Sequence, residues 1–197
     1  MAAYGVGTFI KAGTGTLTID NAVFGNVSSP GGGEIIVGGG GALAQTSGAT
    51  TLSALVLGLG ADPATNVGAL NVSGGNLTID TSLTLGSFGG TGTVTQTGGN
   101  VSINHCGDIA HCTAFNIGNQ GGTGAYNISA GTLAVNGPGQ MVLGRNEGAT
   151  VRPASTGVLD ISGTGQVSVT GADLIVGNHL SSASPPGTGT INQTGGT

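Results

Sequence analysis

The sequence predicts an all-β fold: a three-sided parallel β-helix (β-solenoid) of about six complete turns plus a partial one, without a helical domain. Three observations predict it. The segment GTGTVTQTGGNVSI at 90–103 returns along the chain, as GTGTINQTGG at 187–196 and in looser copies between. Inside each copy the apolar residues alternate at the strand period. Glycine closes each copy, and no amphipathic helical stretch interrupts the series. Parallel crossovers favour a right-handed coil.

The copies start near Gly7, Gly41, Gly68, Gly92, Gly124, Gly157 and Gly189, giving a single array over residues 1–197. Each first strand contributes one apolar residue to a column: Phe9, Leu43, Leu70, Val94, Tyr126, Leu159 and Ile191. Second strands carry pairs such as Leu77 and Ile79, Val101 and Ile103, Leu133 and Val135. Third strands carry two columns: Ile35, Leu55, Leu83, Phe115, Met141 and Leu174, then Val37, Leu57, Leu85, Ile117, Leu143 and Val176. Three short strands per turn cannot bury all these columns within the turn, but stacked at about 4.8 Å they form three parallel sheets round a narrow interior.

Gly38, Gly58, Gly86, Gly118, Gly144 and Gly177 follow the third strand and mark one corner, where positive φ or close backbone approach is expected. A further column mixes Lys11, Gln45, Gln96 and Gln193 with Val72, Ile128 and Ile161. Inward glutamines there need partners, since a buried unpaired amide costs about 1–3 kcal/mol. Length variation is concentrated after the second strand and after the third-strand glycine. Pro63, Pro153, Pro185 and Pro186 fall there, where no ladder hydrogen bond is lost.

Composition agrees with a folded object. Glycine is 43 of 197 residues, a level at which only periodicity separates a fold from disorder, while charged residues are just 6% and the net charge is -5. Lys11, Arg145 and Arg152 are the only lysine or arginine residues, too few for a phosphate-neutralising patch, so nucleic acid is not an expected partner. Runs such as EIIVGG and ALVLGLG are too short to span a bilayer, so no membrane insertion of this segment is expected. No charged start, apolar stretch and small-residue cleavage site opens the chain, so an export signal is expected to have been removed or to lie outside it.

The pattern G-T-[VI]-[TN]-Q-T-G-G, followed by an apolar strand and then L-x-[LV]-G, resembles the β-strand repeats of autotransporter passenger domains and of large bacterial exported proteins with PEP-CTERM sorting signals. The resemblance covers almost the whole chain. It implies an extracellular or cell-surface β-helix, and the expected function is structural: a stalk, adhesin shaft or fibre subunit. The last copy stops halfway round a turn at GTINQTGGT, and neither end offers a capping helix. Either the chain continues beyond this segment or copies stack end to end into filaments, the second being the expected partner reading, with surface glycans or neighbouring cell surfaces as further partners.

The densest chemistry lies in NHCGDIAHC, which gathers His105, Cys106, Asp108, His111 and Cys112. In an exported chain the two cysteines most simply form a disulfide, Cys106 to Cys112, that closes the loop. A zinc or copper site built from His105, Cys106, His111 and Cys112 is the alternative, although the spacing is not that of the usual metal knuckles. No cofactor is expected. The carboxylates Asp20, Glu34, Asp62, Asp80, Asp108, Glu147, Asp160 and Asp173 are scattered, so no enzyme is expected; a carbohydrate-binding or carbohydrate-active β-helix would need them to converge on one face. An ice-binding solenoid would need unbroken outward threonine ranks. The outward first-strand positions run instead from Ile10 and Ala12 through Asn71 and Ser73, Thr95 and Thr97, Asn127 and Ser129, to Asn192 and Thr194.

Overall fold

The structure is a computed structural model that describes residues 2–3, 7–24, 33–60, 66–104, 115–147, 151–179 and 184–197. Among them the strands follow one coil after another. The first partial coil supplies β1 (Ala2–Ala3) and β2 (Thr8–Lys11); the next supplies β3 (Gly15–Thr18), β4 (Val23–Phe24) and β5 (Glu34–Val37). Two coils follow in which a single strand covers two faces: β6 (Gly41–Gln45) with β7 (Ala49–Leu59), and β8 (Val67–Val72) with β9 (Asn76–Ser87). Three coils then keep three strands each: β10 (Thr91–Gln96), β11 (Asn100–Ile103) and β12 (Phe115–Asn119); β13 (Thr123–Ile128), β14 (Thr132–Asn136) and β15 (Gln140–Asn146); β16 (Thr156–Ile161), β17 (Gln166–Thr170) and β18 (Asp173–His179). A final β19 (Thr188–Gln193) begins another coil.

Strands pair only in parallel among the described residues, each with the equivalent strand one coil away. The fold is thus a parallel β-solenoid of about six turns, with no helix in the described chain. The first face is a seven-stranded sheet, β3-β6-β8-β10-β13-β16-β19. The second and third faces, expected as separate sheets, form one twelve-stranded sheet, because β7 and β9 turn the corner between them without ending. A register irregularity between Leu52 and Ala54 absorbs the bend in β7.

The third-strand columns read from the sequence hold pair by pair: Ile35 lies over Leu55, Leu55 over Leu83, Leu83 over Phe115, Phe115 over Met141 and Met141 over Leu174. Ile35, Leu55, Leu57, Leu83, Leu85, Phe115, Ile117, Met141 and Leu143 are buried in one continuous core with the first- and second-strand columns. Phe115 meets Tyr126 edge-on across the interior, with ring centroids 5.7 Å apart. Each such aliphatic side chain contributes about 1.5–3 kcal/mol before entropy is subtracted, so stability accumulates coil by coil.

The first repeat is framed differently from the sequence expectation. The segment starting at Gly7 is not a first strand: β2 pairs with β5, placing Phe9 beside Ile35 and Lys11 beside Val37 on the third face. The first-face strand of that coil starts at Gly15, where Leu17 pairs with Leu43. Lys11 therefore leaves the glutamine column, whose lower member is Ile19, hydrogen-bonded to Ala44 O at 2.9 Å. Likewise Ile10 and Ala12 leave the outward first-face positions, where Thr18 pairs with Ala44.

Two corners depend on left-handed glycine. At Gly86 φ is 65°, and a Cβ would lie 2.0 Å from the Thr123 carbonyl oxygen of the next coil. Gly58, Gly118, Gly144 and Gly177 share the conformation, but Gly38 does not. Only three residues separate Val37 from Gly41, and the link closes as a tight turn with Gly41 N donating to Gly38 O at 3.1 Å, so Gly39 and Gly40 take the positive φ instead. The corner between first and second faces has its own column, absent from the sequence expectation. There Gly99 has φ 69° and its Cβ would meet the Gly75 carbonyl at 2.7 Å.

Candidate functional site

Among the described residues a column of mixed polar and apolar side chains runs through the interior where the end of each first-face strand meets the glycine corner. Gln45, Val72, Gln96, Ile128, Ile161 and Gln193 are register partners in succession. Gln96 is fully buried and has every polar atom paired: Nε2 donates to Gly99 O (3.1 Å) and Thr132 O (3.0 Å), and Oε1 accepts from the Tyr126 hydroxyl (2.6 Å). The amide thus ties its own corner to the strand of the next coil. Burial of the Tyr126 phenol pushes its pKa well above the usual value, keeping it a donor. Gln45 is equally buried and donates to Ser47 O at 2.6 Å, but its Oε1 has no partner. The residue one coil above it, in the place Tyr126 holds above Gln96, is Leu70.

Outside, the polar residues form ladders along the axis. Asn100 Nδ2 donates to Asn76 Oδ1 at 2.9 Å, and Thr132 Oγ1 to Asn100 Oδ1 at 2.7 Å. Asn136 Nδ2 donates to Ser102 Oγ at 3.1 Å and Asn104 Nδ2 to Asp80 Oδ1 at 3.3 Å. At the lower first corner the Asp20 carboxylate accepts from Thr46 Oγ1 (2.5 Å), Thr46 N (2.7 Å) and Ser47 Oγ (3.0 Å). Those bonds, the Thr46 hydroxyl foremost, hold its pKa down at about 2.

The corner after the third face carries the two arginines. Arg152 lies over the Phe88 ring at 4.6 Å, and Arg145 pairs with Glu147. Buried Asn146 donates to Pro153 O (3.1 Å) and Pro185 O (2.6 Å), and buried Ser155 accepts from Gly121 N (2.8 Å) and donates to Arg145 O (2.7 Å). Pro153, Pro185 and Pro186 lie outside the strands. These bonds fasten successive corners together.

The sequence-derived candidates do not converge. Asp20 sits at the first corner, Glu34 and Asp173 at starts of third-face strands, and Asp80 beside Asn104. Asp160 faces outward on the first face, accepting from Asn192 Nδ2 at 2.7 Å, while Lys11 stands on the third. Among the described residues no three of His, Cys, Asp and Glu gather to hold a metal. The disulfide and metal candidates His105, Cys106, His111 and Cys112, with Asp108, lie outside the described residues, as do Asp62 and Pro63.

Two surface features remain. Near the lower end an open groove of about 510 Å³ is lined by Thr8, Glu34, Ser53, Thr81 and Ser82, so it offers one carboxylate among hydroxyls. At both ends the interior columns come to the surface. Leu174 and Val176 are 48% and 47% exposed, Ile191 is 39% exposed, and Phe9 at the opposite end is 40% exposed. No family model matches the chain, nor does any curated protein or solved structure.

Proposed function

We propose that this chain is a structural extracellular or cell-surface β-solenoid: a stalk, adhesin shaft or fibre subunit whose end surfaces take further coils. The observation that carries the reading is the continuity of the interior columns, in register from coil to coil through the described residues. Such a stack has no upper limit set by its own packing, because each coil buries its neighbour and offers the same surface again. Outward amide and hydroxyl ladders suit a shaft that stays hydrated at low charge. The likeness of its repeat to autotransporter-passenger and PEP-CTERM-type repeats points the same way, and a Cys106–Cys112 bond would suit that compartment.

Immunogold labelling of intact source cells tests the reading. Label on the outer surface or on extracellular fibres is expected; label that appears only after lysis overturns it. A second reading, carbohydrate binding, is favoured by the hydroxyl-rich groove around Glu34. Glycan-array binding that is lost in Glu34→Ala would support it.

A further inference from the structure

Two turns at the corner after the third face are built alike. In each, the two central residues are left-handed: Phe88 and Gly89 with φ 55° and 88°, and Gln120 and Gly121 with φ 47° and 85°. Gly90 N closes the first by donating to Ser87 O, and Gly122 N the second by donating to Asn119 O. After β5 both left-handed places are held by glycine, Gly39 and Gly40. Such turns favour glycine, asparagine or aspartate at the first central place, so a phenylalanine there stands against its own backbone preference. Phe88 does not enter the core in return: it lies outside the buried cluster and is 36% exposed.

Arg152 reaches this ring from the loop after β15, two coils above, and its Cζ lies 4.6 Å from the ring centroid. The loop passes the Gln120–Gly121 turn, where glycine leaves it room: a Cβ on Gly121 would lie 3.2 Å from Pro153 Cδ and 3.5 Å from Arg152 Cβ. Arg152 N donates to Ser184 Oγ at 3.1 Å, which fixes the backbone from which the side chain departs. Arg145 is paired with Glu147 and Lys11 donates to two carbonyls, but the Arg152 guanidinium has no hydrogen bond or ion pair among the described residues. The Gln120 amide, on the turn between, likewise has none among them.

We propose that Phe88, Gln120 and Arg152 form a binding site for a saccharide that carries a carboxylate. The planar guanidinium matches a carboxylate with two parallel N–H···O bonds, and the Gln120 amide offers a donor and an acceptor to sugar hydroxyls. The Phe88 ring gives apolar surface to the sugar's C–H face. The sign of the ligand follows from Arg152, a positioned cation without a counter-charge among the described residues. An acidic peptide fits less well, because these turns lie off the strands and an extended chain finds no ladder edge to join. The site goes beyond the shaft reading, and it sits at the opposite edge of the third face from the Glu34 groove.

The test is NMR of the Arg152 Nε–Hε group in the whole chain, with affinities from calorimetry. The ligands are the trisaccharides of galacturonate and mannuronate, sialyllactose, the methyl ester of the galacturonate trisaccharide, and hexaglutamate. At least one of the acidic sugars is expected to shift the Arg152 resonance saturably. Removing the charge, by the methyl ester or by Arg152→Gln, is expected to weaken galacturonate binding about tenfold or more. Phe88→Gly, which keeps the left-handed turn, is expected to weaken it to a similar degree, and Glu34→Ala to leave it unchanged. Saturable binding by none of the acidic sugars, equal binding of acid and ester, or a shift with hexaglutamate alone overturns the site. Binding kept in Arg152→Gln but lost in Glu34→Ala places the sugar in the groove and overturns it too. The shaft reading survives each of these results, since surface labelling decides it separately.

Discussion

Leu85 and Val176 belong to the same interior column of the same face, yet Leu85 is fully buried and Val176 is 47% exposed. The two differ in having or lacking a coil above. The same contrast separates Gly86 from Gly177: both are left-handed, but a Cβ at Gly86 would strike the Thr123 carbonyl at 2.0 Å, whereas at Gly177 the nearest atom is Gly187 O at 3.3 Å. The comparison teaches that the interior is supplied by neighbours along the axis, so the cost of a change depends on coil position more than on residue type.

The largest expected difference is at those glycines. Gly86→Ala should cost at least about 4 kcal/mol, because backbone rather than a side chain must yield, while Gly177→Ala should cost only the about 1–2 kcal/mol of an L-residue held left-handed. Denaturant titration, read with hydrogen exchange to localise the loss, checks both. Equal costs would break the comparison.

Next come the column residues. Leu85→Ala should destabilise by about 2–5 kcal/mol through lost transfer energy and a cavity, and Val176→Ala by about 1 kcal/mol or less. Stacking of copies would narrow that gap, so the measurement belongs at low protein concentration. Tyr126→Phe is expected to cost about 1–3 kcal/mol by leaving Gln96 Oε1 unpaired, the condition in which Gln45 already exists under Leu70.

The smallest effect is electrostatic. The Asp20 pKa is depressed in the folded state to about 2, below the unfolded value near 4. Its contribution is therefore present above about pH 4 and is lost as pH falls towards about 2, where the folded carboxylate takes up a proton. Asp20→Asn should remove that part of the acid sensitivity; the denaturant midpoint compared between pH 5 and pH 2 checks it.

The columns were legible because the strand period, the closing glycine and the L-x-[LV]-G pattern repeat in one order, and the register bears out each third-strand pair from Ile35 to Leu174. The frame of the first copy was not. GTFIK and GTLTI both begin with glycine, threonine and an apolar residue, so alternation alone cannot say that Phe9 belongs over Ile35 and Leu17 over Leu43. The first-corner glycines were hidden by abundance, since a φ of 69° at Gly99 leaves no mark among so many glycines. Nor does sequence reveal that the Gln96 amide spans two coils, because its acceptors Gly99 O and Thr132 O are backbone atoms any residue would supply.

The most direct test of coil-on-coil stacking is a set of distances between spin labels placed on the outward first-face column, from Asn71 to Thr95, Asn127 and Asn192 in turn, with Cys106 and Cys112 replaced by serine. Stacked register predicts separations of one, two and four coil spacings, because Asp160 occupies the coil between Asn127 and Asn192: about 4.8 Å, about 10 Å and roughly 19 Å. Distances that fail to grow with coil number would contradict the account.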